Sequence, residues 1–418
     1  MELFKRAFIE DDAALFRELL ERHPEAKARL NEPMADFDAP IITRVRSREM
    51  LDVLLEAGAD INAKSRWWAG GFGLLHCAKP ELAAYAVERG AIVDAHAAAR
   101  LGMLDHLTEL IRLNPEHVSA RGGDGQTPLH FASTVEVANY LLDHGANINA
   151  RDVDHESTPA QYMVRDRQHI ARHLVRRGCE TDIFLAAALG DADLVRKHLD
   201  ANPNCVRWRV SDDYFPKANH KSGGTIYQWT LGWHVSAHQV ARQFGHEDVY
   251  RLLMEHSPAS VKLLVACWEG EDEVSIKSLL ADHPGLVGSL SPAERRQMAH
   301  AARNNSLGSV RLMLAAGLPV EATGQHGGTP LHWAAWHGNA EMARAILDFK
   351  PPLEVRDRDF HATPIGWAIH GSENGWDRTK GKYGAVIEAL LGAGAKLPEK
   401  LAGTEDVKSV LRQYGVSE

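Results

Sequence analysis

A short phrase returns along the chain, and this repetition limits the possible folds more than any other feature. It reads GQTPLHFA at residues 125–132 and GTPLHWAA at 328–335, with weaker copies STPAQYM at 157–163, ATPIGWA at 362–368 and FGLLHCA at 72–78. A second phrase follows at a regular offset: LLEAGADINA at 54–63, LLDHGANINA at 141–150, LVRRGCETD at 174–182 and LLGAGAKL at 390–397. Repetition at a fixed offset indicates one structural unit copied many times, without a single central core.

Each phrase carries its own helix signals. Threonine at 127, 158, 329 and 363 stands where a helix needs an N-cap acceptor. The proline that follows each threonine suits the first helical position, where a backbone N–H is not needed. In the second phrase, glycine at 58, 145, 178 and 394 suits a left-handed turn that ends a helix. The paired phrases therefore predict helix–turn–helix units.

These phrases resemble the ankyrin repeat, in a bacterial-type form with degenerate copies and insertions. At a period of about 33 residues, the chain would hold roughly twelve repeats. The resemblance implies an all-α ankyrin-repeat solenoid of helix–turn–helix repeats with β-hairpin fingers. We expect one continuous solenoid over residues 1–398 and a C-terminal capping helix over 399–418.

Two insertions interrupt the repeat most clearly. The longer covers about residues 205–235, where residues 206–210 and 225–230 alternate like strands and Ser222, Gly223 and Gly224 can form a turn. This pattern predicts a long inserted β-hairpin. The second is an inserted loop at about 371–384, and a smaller departure, SRWWAGGFG, occupies 65–73. A further pair of segments, RDVDHESTP at 151–159 and RDRDFHATP at 356–364, align without gaps and place Asp154 and Asp359 at matching positions.

Composition excludes several classes of function. The 47 basic and 56 acidic residues give a net charge of −9, whereas binding to a nucleic-acid backbone needs a basic face. No apolar run approaches the roughly 20 residues of a membrane span, and we expect neither a secretory signal nor a membrane partner. The four cysteines are scattered, without a C-x-x-C pair, which predicts a cytoplasmic protein.

Aromatic residues beside charged groups mark the candidate binding surface. Loops that serve only as connectors favour Gly, Ser, Asn and Asp, so these aromatic residues point to a partner. Trp333 and Trp336 are three residues apart on one helix face, and Trp367 and His370 repeat that spacing. The predicted ligand-binding or partner-binding residues are Trp67, Trp68, Tyr162, Tyr214, Tyr227, Trp229, Trp233, Trp333, Trp336, His337, Trp367, His370 and Trp376.

Two hypotheses for function remain open. The first is a recognition protein that binds another protein in the concave groove implied by the ankyrin resemblance. The alternative is an enzyme or small-molecule binder in which the insertions close that groove around a small polar or aromatic ligand. Metal-ligand spacing and phosphate loops are not found, so we predict no metal and no cofactor. If there is catalysis, acid–base chemistry would rest on Asp154, His155, Glu156, Asp213, Asp359 and His361.

Overall fold

The computed structural model describes residues 2–270 and 272–417. These residues divide into two compact units, one formed by 2–194 and 209–235, the other by 195–208, 236–270 and 272–417. The described residues contain 26 α-helices, seven short 3-10 helices and no β-strand. The prediction of an all-α fold is confirmed.

The first unit is built from short helices that mostly alternate with turns. Its helices, including α13 at its boundary, are α1 Glu2–Ile9, α2 Ala13–Arg22, α3 Arg48–Glu56, α4 Leu74–Cys77, α5 Pro80–Glu88, α6 Ala95–Leu101, α7 Leu104–Leu113, α8 Pro128–Phe131, α9 Val135–Asp143, α10 Pro159–Tyr162, α11 Gln168–Arg176, α12 Ile183–Leu189, α13 Ala192–Ala201 and α14 Tyr227–Thr230. The boundary between the units falls within α13, and α14 belongs to the first unit.

The second unit has the same kind of construction. Its helices are α15 Ala237–Gln243, α16 Glu247–Glu255, α17 Ala259–Glu269, α18 Glu273–Asp282, α19 Pro292–Arg295, α20 Gln297–Arg303, α21 Leu307–Ala315, α22 Pro330–Trp336, α23 Ala340–Leu347, α24 Pro364–Asn374, α25 Tyr383–Gly392 and α26 Glu405–Gln413. The 3-10 helices of the chain are Pro24–Arg29, Ile41–Arg44, Pro115–Ser119, Gly123–Gly125, Pro203–Arg207, Val287–Ser289 and Gln325–Gly327.

The recurrent Thr-Pro phrase starts helices by a reciprocal cap. In α22, the Thr329 hydroxyl accepts a hydrogen bond from the backbone N–H of His332 at 3.4 Å, and His332 Nδ1 accepts one from Thr329 N at 3.1 Å. Because Nδ1 is the acceptor, Nε2 carries the proton and donates to the carbonyl of Ala362 at 3.1 Å. The histidine of the phrase thus joins its own helix to the next finger.

Small side chains allow neighbouring helices of one unit to approach closely. Ala97, Ala98 and Ala99 of α6 are fully buried, as are Ala334 and Ala335 of α22. Larger apolar side chains from the longer helices fill the space beside them, as close packing requires. This packing makes the helices a rigid support for the turns that carry the candidate sites.

The predicted inserted β-hairpin is wrong. The first expected strand overlaps a 3-10 helix, Pro203–Arg207, and the second contains α14, Tyr227–Thr230. Val210 pairs through its backbone with the end of the insertion, donating to Val235 O at 2.9 Å and accepting from His234 N at 2.8 Å, and no ladder of such bonds continues from it among the described residues. Alternation over five or six residues cannot separate a strand from other buried segments, and here the backbone finds partners on a neighbouring finger.

The predicted β-hairpin fingers are also wrong. The described fingers contain no strand, and only two isolated bridges occur, Ala35 with Ala39 and Lys64 with Gly73. Each finger closes through a few turn hydrogen bonds, such as Gly122 N to Gln126 O at 2.8 Å. The inserted loop at 371–384 is shorter than expected, because α24 continues to Asn374 and α25 begins at Tyr383.

Candidate functional site

The predicted site residues gather mainly in two places, one in each unit, at corresponding positions of the repeat. In the first unit, the carbonyl of Asp124 accepts hydrogen bonds from Val153 N at 2.8 Å and Asp154 N at 3.1 Å. In the second, the carbonyl of His326 accepts from the backbone N–H groups of residues 358 and 359 at 3.0 and 3.3 Å. Asp124 and His326 also share a left-handed backbone, with φ of 54° and 59°. We call each of these contacts between successive fingers a finger joint.

The joint of the second unit opens into an aromatic cavity, which we call the tryptophan pocket. Its volume is about 300 Å³. Seven of its lining side chains carry rings, and only two small residues complete the wall. The lining residues are His326, Trp333, Trp336, Phe360, Ala362, Gly366, Trp367, His370 and Trp376.

Most of the tryptophan rings of the pocket meet one another at steep angles, and two ring pairs are stacked. Trp333 stacks on Trp376, with ring centres 5.9 Å apart and planes 25° apart. Trp367 meets Trp333 at 86°, and Trp336 meets Trp376 at 86°. His370 stacks on Trp336 at 5.9 Å. The cavity therefore offers both ring faces and ring edges to a guest.

Hydrogen bonds hold the walls in place. The buried carboxylate of Asp357 accepts from Trp367 Nε1 at 2.8 Å, Phe360 N at 2.6 Å and Ala362 N at 2.9 Å. Burial alone would raise the pKa of Asp357, but these donors outweigh it and the pKa lies below its usual value. The carboxylate thus positions the ring of Trp367, which forms one wall, and the backbone of the adjoining finger at Phe360 and Ala362.

A second group of bonds supports the far wall. His337 lies 5.5 Å from the ring of Trp376, and its Nδ1 and Nε2 pair with Asp377 Oδ2 at 2.6 Å and Arg303 O at 2.8 Å. The guanidinium of Arg303 lies 5.3 Å from the ring centre of Trp376 and 5.7 Å from that of Trp333. The two stacked tryptophans therefore already have a cation beside them.

The mouth of the pocket is apolar and exposed. Phe360 is 65% exposed and Trp376 is 57% exposed, whereas Trp333 is buried. At the rim, Asp359 pairs with Arg358 Nε at 2.7 Å and with His326 Nδ1 at 2.9 Å. These bonds, with that of Arg358 the strongest, lower the pKa of Asp359 to about 2. The mouth thus combines exposed rings with charges that are already paired.

The joint of the first unit carries carboxylates instead of rings. One ligand-type atom from each of Asp124, Asp154 and His155 lies within 4.8 Å of the others, and Asp152 lies behind them. We call these four residues the acidic cluster. Both oxygens of Asp154 already accept hydrogen bonds, from Trp67 Nε1 and from Gly223 N, each at 3.1 Å. The acidic cluster is therefore part of a packed contact between the finger and the long insertion.

Burial and like charges shift the protonation of the acidic cluster. Burial raises the pKa of Asp124 to about 7; His155 opposes this rise, whereas Asp154 and Asp152 add to it. Burial also raises the pKa of Asp152, although that carboxylate accepts from Ser157 N and His155 N, both at 2.7 Å. The hydroxyl of Tyr162 donates to Asp152 at 2.9 Å.

The long insertion covers this joint. Ser222 Oγ and Gly223 N donate to the carbonyl of Asp154 at 2.6 and 2.8 Å, and His155 Nδ1 pairs with Gly224 O at 2.9 Å. The carboxylate of Glu156 accepts from the backbone N–H groups of residues 218 and 219, both at 2.8 Å. These bonds replace the strand pairing that the sequence pattern predicted.

The remaining predicted residues lie apart from the two joints or at their edges. Tyr227 is fully buried, with its hydroxyl 3.0 Å from Asp182 Oδ2. Trp229 lies 6.3 Å from His155 and 6.4 Å from Trp233. Trp68 adjoins Trp67 at 6.4 Å. Asp213 and His361 are exposed and line neither the tryptophan pocket nor the acidic cluster.

Tyr214 and Glu156 line a separate polar cavity of about 350 Å³ in the first unit. Its side chains come from the finger at 151–161 and from the insertion. They are Arg151, His155, Glu156, Gln161, Tyr214, Phe215, Pro216, Lys217, Ser222 and Thr225. This cavity shares His155 with the acidic cluster.

Sequence reasoning missed five residues that complete the joints: Asp124, Asp152, His326, Asp357 and Phe360. The alignment of 151–159 with 356–364 pairs His155 with Phe360 and Asp152 with Asp357, so that signal was present. Aligning the TPLH phrases at 127–130 and 329–332 pairs Asp124 with His326 in the turns before them. Arg303 left no comparable signal, because its place beside Trp376 depends on packing between distant segments.

Comparison with known proteins identifies the repeat. A family model for ankyrin repeats (3 copies) matches residues 95–184 and 263–359. The E3 ubiquitin-protein ligase KEG of Arabidopsis thaliana is 23% identical over 275 residues, which are 62% of this chain and 17% of the ligase. The chain therefore spans about 17% of the length of that relative. None of the described helices combines the length and apolar character needed to cross a membrane. Both matched segments contain a finger joint, and the chain contains ankyrin repeats.

Proposed function

We propose that this chain recognises a protein partner through the tryptophan pocket, on the groove side expected for ankyrin repeats. The repeats themselves indicate a protein-interaction module. The observation that carries the proposal is a cavity of about 300 Å³ walled by four tryptophans and open at an exposed aromatic mouth. Tryptophan is enriched among the residues that dominate binding energy at protein interfaces, and exposed apolar clusters mark such surfaces.

The walls are held before any partner arrives. The loop that carries Trp376 is fixed at its end, because Lys382 N donates to Gly338 O at 2.8 Å and Tyr383 Oη donates to Trp336 O at 3.0 Å. Asp357 fixes the opposite wall through Trp367. A preformed site loses less conformational entropy on binding, which favours affinity.

We place this recognition in the cytoplasm. The cysteines at 77, 179, 205 and 267 are all free thiols. Unpaired thiols in a long chain suit a reducing compartment.

Selection from a displayed peptide library against the full chain tests the proposed function. Peptides enriched on the wild-type protein should bind Trp376→Ala at least about tenfold more weakly, the usual scale of a central interface residue. Trp229→Ala is the matched control, because Trp229 is an exposed tryptophan, 61% accessible, that lies in the other unit. Circular dichroism should show that both variants keep their helical content.

Two results would contradict the proposal. One is that the enriched peptides bind Trp376→Ala as tightly as the wild type. The other is that they lose as much affinity with Trp229→Ala as with Trp376→Ala. Failure to enrich any peptide on a folded protein would also count against recognition of a linear segment by this pocket.

A further inference from the structure

We infer that the tryptophan pocket accepts one neutral aromatic ring, supplied by an aromatic side chain of the partner. The inference rests on the proposed function and adds the chemistry of the group recognised. An aromatic wall can attract either a cation or a second ring, so charge, geometry and size must decide between them.

Charge disfavours a cationic guest. The guanidinium of Arg303 already lies within 6 Å of the ring centres of Trp333 and Trp376. A second cation in the cavity would be repelled by Arg303 and would compete with it for the same ring electrons.

The neighbouring carboxylates are already engaged by donors within the protein. Asp357 is committed to three donors, Asp377 to His337, and Asp359 to Arg358 and His326. A cation entering the pocket would therefore lose its water without gaining an ion pair, which opposes binding.

Two indole groups of the wall are donors without a partner. Among the described residues, the indole N–H groups of Trp333 and Trp336 are buried without an acceptor. An N–H donor carries partial positive charge, which again disfavours a cation. It is compatible with a neutral guest that carries an acceptor oxygen, such as a phenol.

Geometry favours a ring over an aliphatic group. A flat guest stacked against Trp336 would present its edge toward Trp376, because those two planes lie 86° apart. Stacked and edge-to-face contacts stabilise aromatic pairs beyond the area that they bury. A branched aliphatic side chain would be stabilised only by the apolar area that it buries.

Size limits the guest to a single ring system. The cavity volume of about 300 Å³ lies at the lower end of the range for ligand sites. A phenol or indole on a short stem falls within that volume, and the stem would leave past Phe360 and Trp376 at the mouth.

Three small probes separate the alternatives in the full chain: p-cresol for the ring, tetramethylammonium for the cation and 3-methyl-1-butanol for the aliphatic group. Binding is followed by the indole N–H resonances of the protein. We expect p-cresol to bind about tenfold more tightly than tetramethylammonium and about threefold more tightly than the alcohol. Equal or tighter binding of tetramethylammonium or the alcohol would overturn the inference.

Variants locate the binding. Trp376→Ala should weaken p-cresol about tenfold, Trp376→Phe should restore much of the loss, and Trp229→Ala should change little. Trp376 is largely exposed, so these variants should keep the fold, and circular dichroism checks this. Binding of p-cresol that does not change with Trp376→Ala would overturn the inference.

The selected peptides separate failure of the inference from failure of the proposed function. Peptides that depend on Trp376 but keep their affinity when each aromatic residue is changed to Ala would leave the proposed function standing and overturn the inference. If p-cresol binds in the pocket and no peptide depends on Trp376, the proposed function fails. The claim that a partner side chain supplies the ring then fails as well.

Discussion

The two finger joints share a backbone and a pair of aspartates, and they differ in other side chains that face the site. In both, a residue with left-handed φ accepts two N–H groups from the next finger, and a buried aspartate ties that finger to the helix behind it. The first joint sets Asp124 beside His155, whereas the second sets His326 beside Phe360. The repeat therefore supplies a fixed frame, and a few substitutions convert a covered acidic contact into an open aromatic pocket.

The covering segment of the first joint contacts three neighbouring residues of one finger. In the first unit, polar groups of Asp154, His155 and Glu156 bind the backbone of the long insertion, which closes over them. At the second joint, Phe360 stands in place of His155 and is 65% exposed. The phenyl ring of Phe360 has no hydrogen-bonding atom, so it cannot hold a backbone segment as the imidazole of His155 does.

The shared backbone predicts the largest effect. Gly125 and Gly327 both have positive φ, and an added Cβ would lie 2.6 Å from Val153 Cβ in the first case and 2.6 Å from Arg358 N in the second. Gly125→Ala and Gly327→Ala should each destabilise the protein by about 3 kcal/mol, since left-handed strain and overpacking add. Urea denaturation followed by circular dichroism measures this.

Gly145 is the control for the glycine variants. It has φ of +95° but no atom within 4 Å of an added Cβ. Gly145→Ala should therefore show only the backbone strain, about 1 kcal/mol, and Gly145→Val somewhat more. If Gly125→Ala costs no more than Gly145→Ala, the close approach of the two fingers is not a rigid feature of the joint.

The next effect concerns the paired buried aspartates. Asp152 and Asp357 each accept two backbone N–H groups and one side-chain donor. Asp152→Ala and Asp357→Ala should each cost about 2 kcal/mol, because donors are left unsatisfied in buried positions. Asp357→Ala should also weaken p-cresol binding, since Trp367 loses its acceptor, whereas Asp152→Ala should leave it unchanged. If the two variants changed the affinity for p-cresol equally, the expected difference between the two joints would be wrong.

Local signals made the helices predictable, and tertiary contacts made the insertion unpredictable. A Thr-Pro helix start is encoded within four residues, so the starts at Thr127 and Thr329 follow from the sequence alone. The insertion folds on partners such as Asp154 and Phe184, whose positions no local pattern contains. The predicted hairpin failed for that reason.

The candidate site was predictable only in part. The helical spacing of Trp333 with Trp336 and of Trp367 with His370 pointed to rings that the structure brings into one cavity. Tyr227 was grouped with them because it is an aromatic residue in the long insertion, although its ring is buried against Phe184 and Phe215. An aromatic residue in an insertion packs inward or outward according to the surface beneath it, which the sequence does not display.

A smaller effect tests whether the two joints share their helix caps. Thr127→Ala and Thr329→Ala should each destabilise by about 1 kcal/mol through loss of the cap, measured by urea denaturation. Thr127→Ser and Thr329→Ser keep the hydroxyl and serve as controls. An alanine variant as stable as its serine counterpart would show that His130 or His332 alone holds the turn.

The last comparison concerns pH and distinguishes the two joints by sign. The raised pKa of Asp124, about 7, means that the folded state holds this proton more tightly than the unfolded chain. Its contribution to stability is therefore lost as pH rises from about 4 to about 7. Asp124→Asn removes the titration, so the variant should melt above the wild type, by more at pH 8 than at pH 5.

Asp359 provides the opposite case. Its pKa of about 2 is below the unfolded value, so its stabilising contribution is present above about pH 4 and is lost only as pH falls toward 2. The difference in melting temperature between Asp359→Asn and the wild type should therefore be the same at pH 5 and pH 8. The variant should not melt above the wild type at either pH. Melting curves of both variants at the two pH values decide the matter. If Asp124→Asn shows the same difference from wild type at pH 5 and pH 8, the carboxylate of Asp124 titrates normally, and the first joint is not an electrostatically strained counterpart of the second.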